Sequence, residues 1–166
     1  MQQIEKNSVS ATNQLKKNSY VTFIQEEGKG KKVMFVGNSI TRHGILPEIG
    51  WYWDWGMAAS ALENDYVHLL VDKINMIEPD TSFCVCQVAK WECEYKNGSE
   101  YLQAYKSARD FEADVIVFRM IENCPHQDFD KYTFYREYQN LIDYLNPTGK
   151  AKIDRKSTRL NSSHSN

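Results

Sequence analysis

The chain alternates short, wholly apolar runs with longer segments whose apolar positions recur every three or four residues. Val33-Met34-Phe35-Val36, entered from two lysines and closed by Gly37, has the pattern of a strand buried on both faces. Residues 81–88 and 114–118 repeat that pattern. Between the first two runs, Tyr66, Val67, Leu69, Leu70, Ile74 and Ile77 recur at helical spacing, and Pro79 closes the segment. Tyr101, Leu102, Tyr105 and Ala108 form a shorter helical stripe before the third run. A longer stripe follows it, Tyr132, Tyr135, Tyr138, Leu141, Ile142 and Leu145, with Asn146-Pro147-Thr148-Gly149 as its stop. Residues 151–153 open a fourth strand. Strands alternating with helices predict right-handed crossovers and an α/β fold, a parallel sheet covered on both faces.

Composition divides the chain into three parts. Residues 1–30 form a polar lead-in, rich in Asn, Gln, Ser and Lys up to residue 19 and predicted to be disordered at least that far. Residues 31–153 carry the periodic segments and form one predicted domain. From Asp154 the pattern breaks, and residues 154–166 match a translated reading frame of a short-read sequencing adapter. That tail is expected to be non-native, leaving the domain incomplete at its C-terminal end, and His164 is set aside with it.

A formal charge of −2 gives no reason to expect nucleic acid or an anionic membrane as partner. No run reaches the length of a membrane span, and the N-terminus lacks the apolar core of a signal peptide, so the compartment stays open. Cys84, Cys86, Cys93 and Cys124 match no zinc spacing and are expected to be buried thiols. No metal and no organic cofactor is implied.

The candidate chemistry sits at the ends of the apolar runs. Ser39 lies two residues beyond Gly37, in a polar turn where a parallel strand delivers side chains to the carboxyl edge of its sheet. There its hydroxyl could be a nucleophile with backbone N–H groups aimed at an oxyanion, or a cap of the next turn. The glycine that would complete a Gly-x-Ser-x-Gly elbow is missing. Trp51, Trp53 and Trp55 alternate in the following segment, where indoles could bind a sugar ring or pack the loop. Arg119 ends the third run, placed to pair with Glu122 or Glu92 or to grip a substrate anion.

Gly37-Asn38-Ser39-Ile40-Thr41 resembles the first sequence block of the SGNH (GDSL-type) hydrolases, normally Gly-Asp-Ser followed by Ile or Leu and Thr. The segment Phe111-Glu112-Ala113-Asp114-Val115-Ile116-Val117-Phe118-Arg119-Met120-Ile121-Glu122-Asn123 resembles the third block, where a strand ends in Gly-x-Asn. The resemblance implies a flavodoxin-like three-layer sandwich and a serine hydrolase that cleaves an ester. Ser39 would be the nucleophile, its own N–H an oxyanion donor, and Asn123 a second donor. Asn38 stands for the usual Asp, as in a Gly-Asn-Ser variant of the superfamily, and Ile121 stands for the usual glycine. The second block, near Gln87-Val88-Ala89-Lys90-Trp91-Glu92, has no glycine to offer its N–H. The family's catalytic Asp-x-x-His follows the last strand, and the chain stops before one, so this fragment is expected to be nearly inactive. His43 and His126 are the alternatives as base, while His68 falls in a helical pattern and reads as structural.

The expected substrate is a small-molecule or carbohydrate ester, such as an O-acyl group on a sugar, with Asn38, Trp51, Trp53 and Arg119 as candidate binding residues. The alternative is a non-catalytic module that uses the Trp segment to bind glycans. A nucleotide-binding role is disfavoured because the first turn lacks a glycine-rich phosphate cradle.

Overall fold

A computed structural model describes residues 20–25 and 29–155. Its centre is a five-stranded sheet of β1 (Val21–Ile24), β2 (Lys32–Gly37), β3 (Ser82–Gln87), β4 (Val115–Arg119) and β5 (Lys152–Arg155), in the order β1-β3-β2-β4-β5. Four strands run parallel, and β1 pairs antiparallel with β3 at one edge. The helices are α1 (Tyr66–Asn75), α2 (Ala89–Cys93), α3 (Lys106–Asp110) and α4 (Lys131–Leu145). A run of 3-10 turns, Tyr95–Tyr105, links α2 to α3 and is kinked at Asn97.

The apolar runs form strands because both faces of each have something to cover. Met34 and Val36 enter one core with Cys84, Cys86, Ile116 and Phe118, beneath Trp91, Tyr105, Leu141 and Leu145. Val33 and Phe35 enter the other with Phe83 and Val85, beneath Val67 and Val71 of α1. The period-two alternation of a strand thus splits each continuous apolar run between two cores. The crossover from β2 to β3 lies on the α1 face, while those from β3 to β4 and from β4 to β5 lie on the opposite face. The molecule is therefore α/β with a mostly parallel sheet and helices on both sides. Cys84, Cys86 and Cys124 are buried thiols, whereas Cys93 is half-buried.

Three details depart from the hydropathy pattern. The pattern assigns residues 1–30 to a polar lead-in, yet β1 lies within it, registered from Val21 on Cys86 to Ile24 on Phe83. Four half-buried residues beside a polar segment carry too short a signal for a strand to be read locally. Helix α1 stops at Asn75, short of Ile77, which is 82% exposed. Its inward face is Val67 and Val71, while Leu69 and Leu70 turn outward. Strand β5 runs on through Asp154 and Arg155, two residues beyond the point where the pattern breaks.

The expected disorder of residues 1–19 and the character of residues 156–166 lie outside the described residues. No helix among the described residues is long and apolar enough to cross a membrane.

Candidate functional site

Strands β2 and β4 are adjacent and end in register, Gly37 opposite Arg119. The turns that follow them therefore lie side by side at the carboxyl edge of the sheet. Gly37 is required there by close approach, since a Cβ would fall 1.9 Å from Thr41 Oγ1 and 2.4 Å from the Arg119 carbonyl. The turn after β2 is closed by the Asn38 carbonyl, which accepts from Thr41 N–H at 2.9 Å and Arg42 N–H at 3.1 Å. Asn38 Oδ1 also accepts from Ile40 N–H at 3.1 Å. Ser39 sits half-exposed in that turn, pinned through its carbonyl, which accepts from Met57 N–H at 2.9 Å. Among the described residues its hydroxyl forms no hydrogen bond.

Asn38 is buried, and its Nδ2 points at two carboxylates. It lies 3.2 Å from each oxygen of Glu92 and donates to Glu122 Oε2 at 2.6 Å. Glu92, fully buried on α2, is the hub of the site. Its Oε2 accepts from Asn123 Nδ2 at 2.7 Å, and its Oε1 accepts from the Ile121 backbone N–H. Burial is the largest influence on its carboxyl and raises its pKa to about 7. The donors from Ile121, Asn38 and Asn123 pull the other way, and nearby Glu122 adds to the rise.

An Asp at position 38 would place a third carboxylate against Glu92 and Glu122. The amide instead supplies N–H donors to both, which gives the departure from Gly-Asp-Ser a physical reason here.

The turn after β4 keeps the geometry of a glycine. Ile121 has φ +112°, a backbone region that a β-branched side chain rarely enters. That conformation accompanies the Ile121 N–H bond to Glu92 and the Asn123 bond to the same carboxylate. Arg119 Nη1 lies 2.9 Å from Glu122 Oε1, an ion pair whose contact is off the hydrogen-bond direction.

The second-block segment offers a carboxylate where a glycine N–H was sought. Val88 N–H donates to the Gly37 carbonyl at 2.7 Å, and Ala89 N–H donates to Gln87 Oε1 at 3.3 Å. Both donors are committed. The same short helix then delivers Glu92, which the sequence pattern marks only as a possible partner of Arg119.

Trp51, Trp53 and Trp55 pack together, Trp51 edge-on to the other two, with ring centroids 5.1–5.9 Å apart. The indole N–H of Trp51 donates to the His43 carbonyl at 3.2 Å, and that of Trp55 to the Ala59 carbonyl at 3.3 Å. Trp53 and Tyr52 remain 45% and 59% exposed, side by side. His43 is buried against Trp51, and its Nδ1 lies 2.7 Å from the Gly44 carbonyl, so that nitrogen carries the proton. Burial lowers its pKa. His126 is exposed.

Asp65 and His68 form a pair that the periodicity hides. Asp65 caps α1 by accepting from the His68 backbone N–H at 2.8 Å, and the same oxygen lies 2.9 Å from His68 Nδ1. Its other oxygen accepts from Gly56 N–H at 3.1 Å, tying the Trp segment to the helix. This is an Asp-x-x-His with an oriented ring, but it makes no hydrogen bond to Ser39 and serves the helix start.

A cavity of about 430 Å³ opens beside the site, walled by Ile40, Ala58, Ala59, Leu70, Val117 and Arg119. Ser39 is not among its lining residues, although Ile40 is. Among the described residues no group of three or more His, Cys, Asp or Glu side chains is arranged to hold a metal. Comparison with protein-family models, curated proteins and solved structures finds no match to this chain.

Proposed function

We propose that this chain carries the nucleophile and oxyanion groups of an SGNH-type serine hydrolase acting on an ester. The observation that carries the reading is the meeting of Asn38 and Asn123 on one buried carboxylate, Glu92. It joins the turn bearing Ser39 to the turn after β4, the two segments that resemble the family. The parallel strands run in the order β3-β2-β4-β5, which we read as a flavodoxin-like winding whose reversal falls between β2 and β4.

In this reading Ser39 Oγ attacks the ester carbonyl and forms a C–O bond, while the Ser39 N–H and the Asn123 amide take the developing oxyanion. Collapse expels the alcohol and leaves an acyl-serine, which water then cleaves. The Ser39 proton needs a base, which the resemblance places in an Asp-x-x-His beyond residue 153. Trp51, Trp53 and Arg119 are the candidate groups for binding a small-molecule or carbohydrate ester, whereas Asn38 is buried and committed to Glu92, Glu122 and Ile40 N–H, so it shapes the turn instead of reaching substrate.

The test is hydrolysis of a short-chain aryl ester by a chain that continues its own reading frame beyond residue 153. Ser39→Ala in that chain is expected to lower turnover by at least ~10³-fold. Equal rates for the two would refute the proposal. The 166-residue chain is expected to retain only slow turnover, because no described histidine is bonded to Ser39.

The exposed neighbours Tyr52 and Trp53 favour one second reading, a glycan-binding module without catalysis. Sugar binding that survives Ser39→Ala and is lost in Trp53→Ala, with no ester turnover in either chain, would select it.

A further inference from the structure

Glu92 is the most deeply buried ionisable group at the sheet edge, and the proposed reaction makes no use of it. Three donors from two segments reach it: the Asn38 side chain after β2, and the Asn123 side chain and the Ile121 backbone after β4. Each of its oxygens is met by N–H groups, so the carboxylate is the form that satisfies every donor. A protonated Glu92 would turn an O–H toward an N–H, and one donor would have to leave. Ile121 is held by the backbone and Asn38 is held by its own Oδ1 contact to Ile40 N–H. Asn123, a half-buried side chain in a turn, is the donor free to swing away.

We propose that Glu92 is the positioning residue of this site: as a carboxylate it holds the Asn38 and Asn123 amides in one arrangement, and on protonation it releases Asn123. An Asn amide has two N–H bonds. With one fixed on Glu92 Oε2, the other is fixed in direction, which is the property an oxyanion donor needs. The functional meaning rests on the reading of Asn123 as that donor; the coupling itself does not.

The charged and titratable groups around Glu92 set when the release occurs. Glu122 faces it from the turn after β4 and disfavours its ionisation, while Arg119 from the end of β4 is paired with Glu122. Cys124 and Tyr105 sense its charge from the same turn and from the 3-10 run. Burial pushes the Cys124 thiol up to about 12 and the Tyr105 phenol well above its ordinary value, so both stay neutral where Glu92 titrates.

The experiment follows the side-chain amide resonances of Asn38 and Asn123 by NMR in the full chain, from about pH 5 to about pH 9. Both NH₂ pairs are expected to titrate together with one midpoint near 7, matched by the Glu92 carboxyl carbon. Glu122→Gln, which removes the facing charge from a partly exposed position, is expected to move that midpoint down. Glu92→Gln is expected to abolish the titration. Asn123 resonances that ignore pH, or a titration that persists in Glu92→Gln, would overturn the proposal. Should Glu92→Gln fail to fold, the Glu92 carboxyl carbon of the unsubstituted chain decides. A midpoint for it that Asn123 does not share would also overturn the proposal. The readout needs no turnover: a shared titration in a protein whose extended form lacks Ser39-dependent hydrolysis would support the clamp and remove the esterase reading alone.

Discussion

Asn38 Nδ2 lies 3.2 Å from both carboxylate oxygens of Glu92, a contact between residues 54 positions apart. It brings the turn after β2 against the helix after β3. Glu122 meets the same amide from the turn after β4, at 2.6 Å. The three crossovers of the sheet are thus tied at one nitrogen.

Replacing that nitrogen by oxygen is expected to be costly. Asn38→Asp removes the donor and sets a new carboxylate against two others, at an expected loss of about 2–4 kcal/mol near pH 8. The loss should shrink in acid, where carboxylates neutralise, and shrink again when combined with Glu92→Gln. Urea denaturation of the single and double variants measures it. A fully additive pair would show that the two residues are not coupled.

Stability should fall as pH rises toward neutrality. Glu92 titrates at about 7 in the folded chain against an ordinary value of 4.5. The folded state therefore holds a proton that the unfolded state has already released. This favours folding below 4.5 and is lost as pH passes through about 7. The span is on the order of 3 kcal/mol. Denaturation midpoints across that window should decline in the natural chain and stay level, for this contribution, in Glu92→Gln. Order at Asn123 and global stability then run in opposite directions with pH.

Ile121 offers a substitution expected to stabilise. At φ +112° an isoleucine carries backbone strain of about 1–3 kcal/mol, which glycine does not. Ile121→Gly loses little packing, because the side chain is exposed, and is expected to gain about 1 kcal/mol. Ile121→Val should gain nothing. Thermal melts of the two variants separate these outcomes.

Gly37→Ala is expected to be severe. The added methyl group meets Thr41 Oγ1 and the Arg119 carbonyl inside van der Waals contact, and the carbonyl belongs to the neighbouring strand. Overpacking between two backbones should remove about 2–4 kcal/mol and loosen β2 from β4. Faster amide exchange at the ends of both strands is the matching readout.

The three indoles should divide by role. Trp51 touches His43, Trp53 and Trp55 and donates to the His43 carbonyl, so Trp51→Ala is expected to cost about 2–4 kcal/mol. Trp53→Ala, at a half-exposed site, should cost under about 1 kcal/mol. Calorimetry of the two variants measures the contrast. Titration with simple sugars or acylated sugars then asks whether Trp53 contributes a binding surface.

The strands and most helix positions were legible in the chain because burial on two faces demands a wholly apolar run, and one covered face demands a helical stripe. Residues 33–36 and Leu141, Ile142 and Leu145 carry those demands locally. The Gly37-Asn38-Ser39 turn was legible as polar punctuation at a strand end, whereas Asn123 was marked only by the resemblance of its segment to a family block. Helix α1 was harder to read, since its stripe includes Leu69, Leu70 and Ile77, which face outward. Strand β1 was hidden because an edge strand of four half-buried residues has little hydropathy contrast.

Glu92 could not have been picked out locally. In the chain it is one acid among several, on a five-residue helix too short to show a period, and its partners Asn38 and the Ile121–Asn123 turn arrive from other crossovers. The left-handed backbone at Ile121 is equally invisible in a residue that normally avoids it. Local periodicity encodes which side of an element is covered. The identity of what meets it across the sheet is set by strand order and register, and those emerge only when the whole chain packs.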